Sequence, residues 1–123
     1  MRIQEGWLHR LIAQLPDVAF RYRLAPTPGF DYVSPSAEVL TGYSLEQFSA
    51  SPDLLDLFVT AEELSASLRA AASTLGGNGV QVGPLARKDG SIVSVERRWI
   101  PIQDEAGNLT AIEGIVRPVA DVR

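Results

Sequence analysis

One histidine, His9, stands beside Arg10 near the start of the chain. A catalytic base or a metal ligand must face a pocket, and a lone histidine in an amphipathic segment reads instead as a surface or interface residue. There is no cysteine. That excludes a disulfide framework, a thiolate nucleophile, a thiolate metal site and a cysteine adduct with a chromophore. Glu62-Glu63 and Asp104-Glu105 are adjacent carboxylates, but each has a structural use. Glu63 completes a helix capping box and Asp104-Glu105 lies in a turn, so no metal site is expected. Gly76-Gly77-Asn78-Gly79 has no following Lys-Ser or Lys-Thr and ends a helix rather than opening one, which does not suit a phosphate loop. The serines have no histidine near them in the sequence pattern, so no nucleophile, base and orienting group can be assembled. Enzyme activity is not expected of this chain.

Composition narrows the class further. The 123 residues fit one domain, and 46% apolar against 21% charged residues allow a packed core. Eleven basic and fifteen acidic residues give a formal net charge of −4. Neutralising phosphates needs a basic face, so nucleic acid is not an expected partner. The start, Met1-Arg2-Ile3-Gln4-Glu5-Gly6-Trp7, carries no secretion signal, and no run approaches the roughly 18 apolar residues of a membrane span. A cytoplasmic domain, free or part of a longer chain, is expected.

The elements that would position any site follow from periodicity and caps. Ile3, Trp7, Leu8, Leu11, Ile12 and Leu15 form one apolar helical stripe, ended by Pro16. Phe20, Tyr22 and Leu24 alternate with Arg21 and Arg23, which predicts a strand with one solvated face; Phe30 to Val33 is a second strand. Ser34-Pro35 predicts a helix capped by Ser34 and running to about Thr41, with Gly42 as its stop. Ser44-Leu45-Glu46-Gln47 has capping-box spacing and opens a turn that buries Leu45 and Phe48. Ser49 to Asp53 reads as a loop, and Leu54, Leu55, Leu57 and Phe58 as a buried cluster. Thr60 caps a long helix, Ala61 to Leu75. Three strands then follow, Val80 to Arg87, Ser91 to Ile102 and Leu109 to Val116, joined by Lys88-Asp89-Gly90 and Asp104-Glu105-Ala106-Gly107-Asn108. Pro118 belongs at a strand end or on an edge. The order predicts an α+β fold, a five-stranded antiparallel sheet with helices grouped on one face.

Three motifs carry a resemblance to a known family. Phe30-Asp31-Tyr32-Val33-Ser34-Pro35-Ser36-Ala37-Glu38-Val39-Leu40-Thr41-Gly42-Tyr43-Ser44 resembles the "yvSpa-E-ltGys" segment of PAS domains. Arg87-Lys88-Asp89-Gly90-Ser91 resembles their "r-kDGs" hairpin. Pro101 to Asn108, followed by Ile112 to Arg117, resembles their "p-v-D-dG... l-Gi-rD" ending. The resemblance implies a PAS sheet of order 2-1-5-4-3, with 1–16 as a leading amphipathic helix, 17–118 as the domain and 119–123 as an exit toward an output domain. It implies a sensory or regulatory module attached to a histidine kinase, a diguanylate cyclase or a similar output. The exit departs from the pattern: Pro118 and Ala120 replace the aspartate and threonine of the usual Asp-Ile-Thr. Haem-binding members use a histidine on the long helix, which has none here, so haem is not expected. Light-oxygen-voltage members need an Asn-Cys-Arg-Phe-Leu-Gln motif that is absent, so a cysteine-adduct flavin is excluded.

In such a fold a ligand would lie between the sheet and the helices. Phe48, Phe58, Leu64, Leu68, Val95, Arg97 and Trp99 are the candidate lining, and they serve equally as a filled core. An inward Arg97 or Arg98 beside Trp99 would suit an anionic small molecule. Around Trp99 the alternation is ambiguous: Val93, Val95 and Trp99 share one parity, and Ile92, Ile100 and Ile102 the other. Either a bulge flips the register or both sheet faces are covered. A homodimer through Trp7, Leu8, Leu11, Ile12 and Leu15 and the exposed sheet face would supply that cover.

Overall fold

The computed structural model describes residues 10–11, 14–60 and 79–119. The expected helix Ala61 to Leu75, with Leu64 and Leu68, and most of the leading helix, with Trp7, Leu8 and Ile12, lie outside the described residues. Five strands form one sheet: β1 Val18–Arg23, β2 Gly29–Val33, β3 Gly79–Ala86, β4 Ile92–Gln103 and β5 Leu109–Pro118. All pairings are antiparallel, and the strand order is β2-β1-β5-β4-β3, as expected. Among the described residues between β2 and β3 are two short helices, α1 Ser36–Thr41 and α2 Leu45–Ala50, and a 3-10 helix, Pro52–Leu57.

Local chemistry explains these pieces and corrects two expectations. The α1 cap is Pro35, with no side-chain capping bond, rather than Ser34. Ser34 is fully buried and is used across the sheet instead: its Oγ accepts from the Ala19 N–H at 2.8 Å, and Ser36 Oγ donates to the Asp17 carbonyl at 2.7 Å. A buried hydroxyl must be satisfied, and the strand offers a better partner than the helix end. The segment expected as a loop, Ser49 to Asp53, is instead the end of α2 and the start of the 3-10 helix. The Ser44 capping box on α2 is present in both directions.

The "ltGys" and "r-kDGs" motifs meet in space. Gly42 ends α1 at φ 83°, and a Cβ there would sit 3.3 Å from Lys88 Cβ. The Lys88 N–H donates to the Thr41 carbonyl at 2.8 Å, and Arg87 Nη2 donates to the Val39 carbonyl at 2.9 Å. The β3–β4 hairpin therefore supplies donors to the open carbonyl end of α1.

One face of the sheet packs under the helices. It carries Val18, Phe20 and Tyr22 of β1, Val95 and Trp99 of β4 and Ile112 and Val116 of β5, all buried. Gly114 sits between Phe20 and Trp99 in the pairing. A Cβ at 114 would lie 2.7 Å from the Phe20 ring carbons and 2.7 Å from the Arg98 carbonyl oxygen. The ring thus lies directly on the backbone of β5, which only glycine allows.

Two outcomes are expected from this architecture. Gly114→Ala overpacks a site walled by backbone and a core ring, and should cost about 1–3 kcal/mol in chemical denaturation. The Asp104 carboxylate accepts from the Asn108 and Ala106 N–H groups, each at 2.9 Å, and this bonding holds its pKa below the ordinary aspartate value. A carboxyl with a depressed folded pKa stabilises above its unfolded pKa and loses that contribution as pH falls through the folded one. A carbon-detected NMR titration should find Asp104 titrating below free aspartate, and Asp104→Asn should flatten the acid limb of the stability profile.

Candidate functional site

The expected pocket residues separate into a ring cluster and a β4 row. Phe48 and Phe58 are buried and stack at 5.6 Å between centroids; Phe58 also stacks on Phe20 at 4.9 Å. Phe30 meets Phe48 edge-on at 5.3 Å and Tyr22 at 5.0 Å. Offset and edge-to-face pairs of this kind contribute about 0.5–1.5 kcal/mol each beyond area burial. Burial raises the Tyr22 hydroxyl pKa, and the nearby Asp53 charge raises it further, so Tyr22 stays neutral at ordinary pH. The β1–β2 end of the interior is filled with aromatic side chains.

On β4, Val95, Arg97 and Trp99 share the helix side of the sheet, so Arg97 rather than Arg98 is the inward arginine. Its guanidinium is engaged with backbone: Nε donates to the Leu57 carbonyl at 3.0 Å and Nη2 to the Pro84 carbonyl at 2.8 Å. It ties the end of the 3-10 helix to the sheet and places a cation at that helix's carbonyl end. The β3–β4 pairing runs without a shift, and β4–β5 shifts only at Ile102/Gln103. The alternation around Trp99 is therefore regular. No bulge turns the isoleucines inward, and Ile92 and Ile100 remain 64% and 42% exposed. Of the two alternatives read from the sequence, a bulge at Trp99 is corrected here; within the single chain the outer face presents apolar side chains.

That outer face has a definite pattern. Cross-strand rows read Ala19–Ile115–Arg98 and, beside it, Arg21–Glu113–Ile100. Ile115 is 45% exposed. Around Ala19, Tyr32, Ile100 and Ile115 lies an open depression of about 450 Å³, floored by the backbone at Phe20, Trp99 and Gly114. Trp99 thus borders the interior with its indole and the depression with its backbone. Ion pairs flank the strip on both sides. Arg117–Asp17 (3.5 Å) and Arg98–Glu96 (2.6 Å) stand on one flank. On the other, Arg21 pairs with Glu113 and Asp31, and Arg23 also pairs with Asp31. The hydrogen bond from Arg98 holds the Glu96 carboxyl below its usual value.

The residues proposed from the leading helix contribute little that the structure can place. Leu11 and Leu15 are half exposed, and Trp7, Leu8 and Ile12 are outside the described residues. Sequence reasoning did not assign Ile100, Ile115, Arg21 or Glu113 to a site. The available signal was the second isoleucine parity in β4. Among the described residues no three metal-ligating side chains cluster, and no helix is long and apolar enough to cross a membrane.

Comparison with known proteins agrees with this geometry. The family model described as the PAS fold matches residues 30–116. No curated protein sequence matches the chain. Among solved structures, a PAS domain from Colwellia psychrerythraea superposes with a TM-score of 0.72 at 21% identity, covering 95% of this chain and 97% of that one. A PAS domain from a two-component sensor histidine kinase gives 0.70 at 19% identity, covering 96% and 98%. The N-terminal domain of a diguanylate cyclase with a PAS/PAC sensor, from Marinobacter aquaeolei, gives 0.61 at 15% identity, covering 83% and 94%. With the sheet order, the hairpin docked on α1 and the family match over residues 30–116, the chain belongs to the PAS family.

Proposed function

We propose that this chain is a cytoplasmic sensory or regulatory module that controls an attached output domain through protein contacts on the outer face of its sheet. Family membership supports a regulatory role, and the similar domains from a sensor histidine kinase and a diguanylate cyclase supply the class of output. The exit segment 119–123 would lead toward that output domain, and the apolar stripe of 1–16 offers a second contact surface.

One observation carries the choice of protein contact over an interior ligand. The depression that borders Trp99 opens on the outer face, while the inner side of the same wall is packed with Phe20, Phe48 and Phe58 rings. Arg97, the residue best suited to an interior anion, already donates to two backbone carbonyls. The alternative is a non-covalent small molecule held near Val95, Arg97 and Trp99, with Leu64 and Leu68 across from them.

Native mass spectrometry and absorbance of the purified chain separate the two. The protein-contact reading expects polypeptide mass only, as one copy or a whole-number multiple with no added small molecule, and no absorbance beyond tryptophan and tyrosine. A stoichiometric small molecule retained by the wild type and lost in Trp99→Ala would overturn it. On the protein-contact reading Trp99→Ala acts on the core, lowering stability by about 3–5 kcal/mol.

A further inference from the structure

We infer that a groove beside α1 binds an apolar carboxylate, a small molecule with one anionic head and a hydrocarbon body, and that Arg87 is its anchor. The groove shares no lining residue with the outer depression, so the inference stands apart from the reading of the outer face.

The groove holds about 650 Å³, within the range of small-molecule sites. Its walls are Leu15 and Pro16 ahead of β1, Val39 and Leu40 of α1, Val93 of β4 and Pro118 at the end of β5. Val39 is 77% exposed and Leu15 about half exposed, so apolar surface stands open there. A hydrocarbon body gains by covering it.

Arg87, also on the lining, sets the charge of the ligand. Its Nη2 donates to the Val39 carbonyl at 2.9 Å. Its Nε is, among the described residues, the one buried side-chain nitrogen or oxygen with no hydrogen-bond partner. A buried donor left unpaired is costly, and it calls for an acceptor that the described residues do not supply. The acidic side chains on the neighbouring elements are spent elsewhere. Asp89 accepts from the N–H and hydroxyl of Ser91, and Glu38 accepts from the Leu45 N–H. Arg21, Arg23, Arg98 and Arg117 each pair with a carboxylate, and Arg87 has no such pair among the described residues. Carboxylate geometry matches the two parallel N–H bonds of a guanidinium edge. The ligand's head takes Nε and Nη2 together once the guanidinium turns from the Val39 carbonyl toward the groove. Because the walls come from both the entry to β1 and the end of β5, a bound body touches the chain where it enters and where it leaves the sheet.

NMR titration of the labelled 123-residue chain with sodium octanoate tests this. The Arg87 Nε–H and the Leu40 and Val93 methyl signals should move together and saturate, while Ile100 and Ile115 hold. Binding of this kind exchanges and is lost on purification, so the native mass stays that of the polypeptide. Octyltrimethylammonium, with the same hydrocarbon and the opposite charge, should not saturate these signals. Val39→Glu sets a like charge at an exposed wall position and should weaken octanoate about tenfold or more with the thermal midpoint held. Arg87→Lys keeps the charge without the fork and should weaken it severalfold. Octanoate that leaves the Arg87 and Val93 signals unmoved, or moves Ile100 and Ile115 instead, would overturn the inference. So would equal binding of the two amphiphiles, or affinity unchanged in both variants. An Arg87 Nε–H signal that shifts in Asp121→Asn without octanoate would also overturn it, by showing that the chain's own tail fills the groove.

Discussion

The close approach of the Phe20 ring to the backbone of Gly114 is the contact around which the rest of the domain is arranged. β5 is the central strand, and its inner face at that level is bare, with Phe20 on one side and Trp99 on the other. The missing side chain lets the Phe20 ring lie flat enough to stack on Phe58, which in turn stacks on Phe48. Thus α2 and the 3-10 helix are drawn onto the sheet through one column of rings. A methyl group at 114 would have to displace either that column or the Arg98 carbonyl of the neighbouring strand. Interiors packed at crystal-like density have no slack to absorb such a shift.

The same wall separates two environments of different chemistry. Inside, the described side chains are mainly aromatic and aliphatic, and Ser34, Thr41 and Arg97 bond to backbone: Ser34 to Ala19, Thr41 to Ala37, Arg97 to Leu57 and Pro84. Outside, isoleucines stand in a row between neutral sets of ion pairs. Exposed pairs of this kind add little stability, typically under about 1 kcal/mol each. Their value lies in setting the local charge to zero on an acidic molecule. The wall is one strand thick, so the residues that define the core also floor the outer depression.

Much of the fold was legible because its signals are local. Turns at Lys88-Asp89-Gly90 and Asp104 to Asn108, the Ser44 capping box and the stop at Gly42 are each set by a few adjacent residues, and the structure has them. The strand order came from the family resemblance rather than from periodicity. What the sequence could not reveal depends on register. Ser34 looks like a helix cap until Ala19, fifteen residues earlier, is seen to claim its hydroxyl. Apolar residues on both parities of β4 give no way to choose a face, because period two fits either. Gly114 reads as a weak point in a strand until pairing sets it against Phe20. The Arg21–Glu113 pair joins residues 92 apart, a distance no local pattern reports. The sequence therefore pointed both inside, around Trp99, and to an exposed sheet face, but it could not say which residues of β4 and β5 make up that face.

The claim that the outer face is the working surface, and the interior a core, is tested most directly by methyl NMR of the isoleucines over a dilution series. Ile100 and Ile115 lie on that face and Ile112 is fully buried beneath it. The account predicts that the Ile100 and Ile115 methyl signals move with protein concentration while Ile112 stays fixed. Signals of Ile100 and Ile115 that are independent of concentration, with Ile112 instead shifting on addition of a small molecule, would contradict it.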